Sequence, residues 1–142
     1  MLELMIAAVV LVVALLGLLG VFTGCFGLNE TARNLTIAIN GAQAETERIR
    51  NLPFNQISAQ DGTSFEITGI ADASSEGIVE VNISNPDLLT VTVTVCWRQK
   101  GGRIIGEDAN LDGAFDLVTE DTNPANGQLD SPAQIVTLMA ER

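Results

Sequence analysis

Between Leu4 and Leu28 the chain carries no charged side chain, and Thr23 is the only hydroxyl in the run. At ~1.5 Å rise per residue this makes a helix of roughly 37 Å, enough to cross a bilayer with some tilt. A core built from the rest of a 142-residue chain cannot surround such a helix. Its cover must come from outside, as lipid or as further copies of the same helix. A secretory signal would open on Lys or Arg and close on a small-residue cleavage site. This run instead opens on Glu3 and passes through Thr23-Gly24-Cys25-Phe26-Gly27 into polar sequence. The nearest basic residue, Arg33, stands on the far side. The positive charge that normally sets orientation is missing, and an upstream segment is expected to have been removed.

Glu3 is the exception at the lip of the apolar run. Carried into hydrocarbon unpaired, a carboxylate costs roughly 2.5 kcal/mol or more. Either it stays at the surface, favoured by the positive end of the helix dipole, or it is a charge to be paired on assembly. Gly17, Gly20, Gly24 and Gly27 share one helix face. They suit close helix packing in a membrane, or local unwinding, since each is about 1 kcal/mol worse than Ala in a helix.

The stretch Met1-Leu2-Glu3-Leu4-Met5-Ile6-Ala7-Ala8-Val9-Val10-Leu11 resembles the mature N-terminus of type IV pilins and of the related pseudopilins of type II secretion. Their hallmark is an apolar helix interrupted near its start by one Glu. In the family that Glu is the fifth mature residue, whereas here it is third. The resemblance covers residues 1 to about 53. It implies cleavage before the apolar run by a prepilin peptidase, methylation of the new amine, and neutralisation of that amine by Glu3 of a neighbouring subunit in the filament core. Prepilin peptidase and inner-membrane assembly machinery are the partners it implies.

Leu28, Ala32, Leu35, Ile39, Ala42 and Ile49 continue the helix as an amphipathic one, with a gap at Thr46, and Glu45, Glu47, Arg48 and Arg50 form the polar face. Pro53 should end it. Beyond Pro53 the period changes to two. Phe65-Ile67, Val79-Val81-Ile83, Leu89 to Trp97 and Ile135 to Met139 alternate as half-buried strands. Lys100-Gly101-Gly102 reads as a turn, returning through a short strand Arg103-Ile104-Ile105, and Trp97 reads as core. The expected fold is α+β, a long N-terminal helix packed by its second half on a small antiparallel sheet. Residues 1–28 form the apolar half of the helix and 29–53 the amphipathic half. Residues 54–142 form the sheet domain, with an acidic loop at 106–131 before the last strand.

In that loop, Asp108, Asn110, Asp112 and Gly113 stand at positions one, three, five and six of a calcium-binding pattern, with Asp116 at nine and Glu120 beside position twelve. An imperfect second copy offers Asp121, Asn123, Asn126 and Asp130, with Pro124 and one inserted residue spoiling its spacing. A loop of Asx turns is the competing reading. Crowding so many carboxylates with no basic residue favours Ca²⁺ at the first loop. Asn29-Glu30-Thr31, Asn34-Leu35-Thr36 and Asn82-Ile83-Ser84 fit the glycosylation pattern, which is short enough to arise by chance.

Composition narrows function further. Asp and Glu number 18 against 7 Lys and Arg, a net charge of −11, so nucleic acid is an improbable partner. Neither His nor Tyr is present, which removes the commonest general base and every Ser-His-Asp arrangement. Cys25 and Cys96 are expected as free thiols. The expected function is structural: an extracellular type IV pilus-like homopolymer, with no enzymatic step. A pseudopilin, a minor pilin or a membrane-anchored monomeric calcium module are the alternatives.

Overall fold

The computed structural model describes residues 2–70, 75–114, 120 and 128–141. By compactness the chain divides into residues 1–33 and residues 34–142. The order of elements is a helix α1 (Leu2–Arg50, 49 residues), a short helix α2 (Phe54–Ile57), a single 3₁₀ turn (Ser58–Gln60), and strands β1 (Thr63–Glu66), β2 (Ser75–Asn82), β3 (Leu88–Arg98), β4 (Ile104–Ile105) and β5 (Ala133–Ala140). This is the α+β arrangement expected, a long N-terminal helix followed by a small antiparallel sheet.

In residues 34–142 the helix buries Asn34, Ala38, Ala42, Thr46 and Ile49. Leu35 and Ile39 flank this row, half-buried, and Leu28 and Ala32 are exposed. The buried row is thus turned by one position from the one the apolar spacing suggests. It runs through Ala38 and Ala42, where small side chains let the helix backbone approach the sheet. Thr46, the apparent gap, belongs to the row because its hydroxyl donates to the Ala42 carbonyl at 2.7 Å, so no polar group is left unsatisfied there. On the exposed side Arg48 pairs with Glu45 and reaches Gln60 Oε1 at 2.7 Å, and Arg50 pairs with Glu47.

The helix stops at Arg50, ahead of Pro53. Proline then begins a new turn rather than only ending the old one: its carbonyl accepts the Gln56 N–H at 2.8 Å, and α2 follows. Ile57, at the end of α2, is buried in the core.

The sheet runs β1-β2-β3, with β4 and β5 both antiparallel to β3 along its other side. One face, formed by Val79, Val81, Leu89, Val91, Val93, Val95, Trp97, Ala133 and Met139, clusters with Ala38, Ala42 and Ile49 of α1. Trp97 is fully buried there. Phe65 on this face stands opposite Gly77, its ring lying where a side chain on 77 would be. Between β3 and β4 the turn closes by Gly102 N–H to Gln99 O at 2.9 Å and Gln99 N–H to Arg103 O at 2.7 Å, with Gly101 and Gly102 at positive φ.

Two expectations need correcting. Ile83 lies beyond the end of β2 and is exposed; the chain turns there, with Asn82 Oδ1 accepting the Ser84 N–H at 2.9 Å. And β3 is buried on both faces, not half-buried: Thr92, Thr94 and Cys96 on its second face are as enclosed as the valines on its first. A smaller apolar cluster of Ile78, Cys96 and Leu129, with Leu111 against it, accounts for that second burial.

Candidate functional site

Two features bear on function, one in each part of the chain. From Leu2 to Asn29 the helix has every residue exposed. Leu4 is 76% and Phe26 72% exposed. It is long and apolar enough to cross a membrane. Its hydroxyls are satisfied internally: Thr23 donates to the Gly20 carbonyl and Thr31 to the Gly27 carbonyl, both at 2.9 Å. A hydroxyl bonded back to its own helix makes no demand on the medium around it. The helix runs unbroken through Gly17, Gly20, Gly24 and Gly27. Beyond the helix's own backbone, a Cβ added at any of the four would meet no described atom within 4 Å. Glu3 lies in the first turn, exposed, where its charge complements the helix N-terminus.

In residues 34–142 the described residues of the acidic loop, 106–114, 120 and 128–131, lie over the second face of the sheet. Gly106 begins it at φ 101°, and a Cβ there would collide with the Cys96 sulfur. The two feet of the loop are stitched together. Glu107 N–H donates to the Asp130 carbonyl at 3.0 Å, and Asp130 N–H donates to Glu107 Oε2 at 3.0 Å. Ser131 Oγ donates to the Val95 carbonyl, and Thr94 Oγ to the Leu129 carbonyl at 3.2 Å. Gly113 approaches Ser64 and Glu76, so the loop reaches across to β1 and β2.

Asp108 is fully buried and serves as the hub of its turn. Its Oδ1 accepts the Leu111 N–H at 2.6 Å and its Oδ2 the Gly113 N–H at 3.4 Å. These bonds hold Leu111 at φ 57°, in the left-handed region. Asn110 Nδ2 donates to Asp112 Oδ2 at 2.9 Å, the Asp112 N–H donates to Asn110 Oδ1, and Asp112 Oδ1 accepts the Ala114 N–H at 2.9 Å. Glu120 is also buried, and its Oε1 accepts the Ala109 N–H at 3.2 Å. Of the residues expected to bind metal, Asp108 and Glu120 are buried and bond backbone N–H groups of the 108–114 turn, whereas Asn110 and Asp112 bond each other on its exposed side. Asp130 stands apart at the foot of the loop. Asp116, Asp121, Asn123 and Asn126 lie outside the described residues. Among the described residues no three of His, Cys, Asp and Glu are grouped so as to hold a metal ion. The side-chain oxygens of 108–112 are engaged with backbone N–H groups and with one another, which is the Asx-turn arrangement.

Compared with protein-family models, with curated proteins and with solved structures, the chain finds no match.

Two titratable groups beneath the loop are displaced from their ordinary ranges. Burial pushes the Cys96 thiol up to about 11, and the charges of Asp108 and Glu120 act in the same direction against the backbone N–H groups of Asp108 and Glu107. Cys96 is therefore an inert, buried thiol, while Cys25 is free and exposed. Burial also holds the Glu80 carboxyl above the usual range, opposed by the Leu129 N–H it accepts and reinforced by Asp61 and Asp130. Alternation alone does not single out Glu80, which sits opposite Thr92 on the face the loop covers. Of the three asparagines in glycosylation-like tripeptides, Asn34 is fully buried and its side-chain amide makes no hydrogen bond, so a glycan has no access to it.

Proposed function

We propose that the chain is a structural subunit of an extracellular type IV pilus-like filament, polymerising through its apolar N-terminal helix. The observation that carries this reading is the full exposure of Leu2 to Leu28 on a helix whose one hydroxyl, Thr23, is satisfied internally and whose glycines have open space beside them among the described residues. Such a surface fits lipid equally well as a resting place and other copies of itself as a final one. The small residues let backbones approach closely, and the packing between helices then replaces packing against lipid. On this reading the subunit leaves the membrane by withdrawing its helix into a shared bundle. Glu3 supplies the charge that must be paired once water is gone, and the sheet domain faces outward. The sequence resemblance to type IV pilins and pseudopilins supports the same reading.

Calcium belongs to the proposal as a stabiliser of the acidic loop. A carboxylate offers about four lone-pair directions, so the two N–H bonds Asp108 accepts leave room for a cation. Asp108, Asn110, Asp112 and Glu120 are the described residues that would hold it, with Asp116 added from the sequence pattern. The ion would offset repulsion among the carboxylates of a segment, 106–131, that contains neither Lys nor Arg.

Electron microscopy of material sheared from producing cells, with mass spectrometry of the subunit's N-terminus, tests the filament. Thin helical filaments of this chain with a trimmed, methylated N-terminus support it. Recovery only as a detergent-extracted, uncleaved monomer rejects it in favour of an anchored module.

A further inference from the structure

Among the described residues β5 is hydrogen-bonded on one side only, to β3. Its eight residues contain no charge, no Pro and no Gly, the features that ordinarily keep a sheet edge from pairing. The opposite edge, β1, is four residues long and ends on Glu66. On the face of β5 turned away from α1, Val136 is 58% and Leu138 63% exposed, and Leu88 opposite Ala140 extends the apolar surface. A cleft of about 570 Å³ lined by Leu52, Pro53 and Phe54 together with Leu138 and Met139 lies at the C-terminal half of the strand.

We propose that this edge is the docking site for a second copy of the chain, which adds its own β5 antiparallel across a two-fold axis at Thr137. The strand is self-complementary in that register. Val136 of each copy faces Leu138 of the other, and Ile135 faces Met139, so apolar side chains meet on both faces of the joint. Charge selects the same occupant and direction. The chain carries −11, and the feet of its acidic loop, Glu107 and Asp130, lie toward the Ala133 end of β5. Antiparallel addition sends the two loops to opposite ends of the joined sheet, whereas parallel addition would crowd them together. A basic partner would be drawn to the loop rather than to this uncharged edge. The two-fold stands perpendicular to the sheet and turns the α1 segments packed on it, Ala38 to Ile49, in opposite directions, so the contact joins copies that do not share one helix bundle and is separate from the helix-driven assembly proposed above.

Cysteine cross-linking of the full chain in detergent micelles, in a Cys25→Ser background, tests it. With Thr137→Cys, mild oxidation is expected to give a covalent dimer at least roughly tenfold faster than with Thr90→Cys on the neighbouring strand. Adding Val136→Lys and Leu138→Lys, which set like charges face to face, should slow the Thr137→Cys cross-link roughly tenfold. Equal rates for the Thr137→Cys and Thr90→Cys variants overturn the proposal. So does a cross-link indifferent to the two lysines, which would trace association to the apolar helix. A different protein trapped by the Thr137→Cys variant in cell extracts, in place of a second copy, overturns it as well. Filaments without the Thr137→Cys cross-link would sink this contact and leave the filament reading standing, and cross-linked dimers without filaments would do the reverse.

Discussion

Ile105 and Ala133 stand opposite Trp97 and Val95, two positions apart along β3, although residues 106–132 separate them in sequence. β4 and β5 therefore lie on one strand line, and the acidic loop leaves and rejoins that line at the single position facing Cys96. The stitch between Glu107 and Asp130 closes the loop at its base. This arrangement explains why Cys96 is buried beneath loop residues and why Gly106 is needed where the chain departs.

Gly106→Ala should destabilise residues 34–142 by about 2 kcal/mol or more. The positive φ strains any other residue, and the new methyl group meets the Cys96 sulfur. Urea unfolding followed by the fluorescence of Trp97, the chain's one tryptophan, reads the loss. The double variant with Cys96→Ala should recover part of it by making room.

Ile49→Ala should cost about 2–5 kcal/mol, because Ile49 is fully buried in the cluster joining α1 to the sheet. Thr46→Val should be close to neutral: it removes a buried hydroxyl together with the bond it donates to the Ala42 carbonyl, which keeps its helical N–H partner, while nearly conserving shape. Thermal unfolding of the two variants side by side checks both values.

Glu80→Gln should raise stability at neutral pH and flatten its pH dependence. With a folded pKa above the unfolded one, the native state holds the proton more tightly than the unfolded state. The contribution of Glu80 is then fully favourable below the ordinary carboxyl range and is lost as pH rises through its raised value. Gln keeps an acceptor for the Leu129 N–H without the buried charge. Melting temperatures from pH 4 to 8 should converge at the acid end and separate toward neutrality, the variant higher.

Calcium in excess of its dissociation constant should raise the melting temperature, by an amount equivalent to about 2.7 kcal/mol at a hundredfold excess. Asp112→Asn should weaken this response while sparing the fold, since Asn retains an acceptor for the Ala114 N–H. An unchanged melting curve on adding Ca²⁺, with no heat of titration, removes the metal from the functional reading and leaves the filament untouched.

Glu3→Ala should leave the melting of residues 34–142 unchanged, because Glu3 is exposed in the first turn of α1. If Glu3 pairs a neighbouring amine, filament yield in sheared material should fall severalfold or more while membrane-extracted subunit accumulates.

The features legible in the sequence are those set by one local rule. Uninterrupted apolarity marks the first half of α1, Pro53 marks where the helix has to end, and Val-Thr alternation places β3 with Trp97 in the core. Features that need two elements at once are not legible. Thr46 looks like a break in the apolar row until its hydroxyl is seen to bond within the helix. The Thr-rich face of β3 looks suited to solvent, and only the return of Leu129 and Asp108 over it shows that it is core. The Asp and Asn spacing in 108–112 is legible as a turn-forming cluster. That Asp108 faces inward depends on a sheet whose register no local pattern encodes.

A loop that departs and returns at one rung of the ladder is a detachable attachment to the sheet. Residues between its stitched feet can be exchanged with β3, β4 and β5 still in register, at the cost of the covering of Cys96 and Ile78 and of the close approach of Gly113 to Ser64 and Glu76. If the proposed filament forms, that position would let the displayed chemistry diverge while the scaffold stays the same. It is also the natural place to graft a foreign peptide.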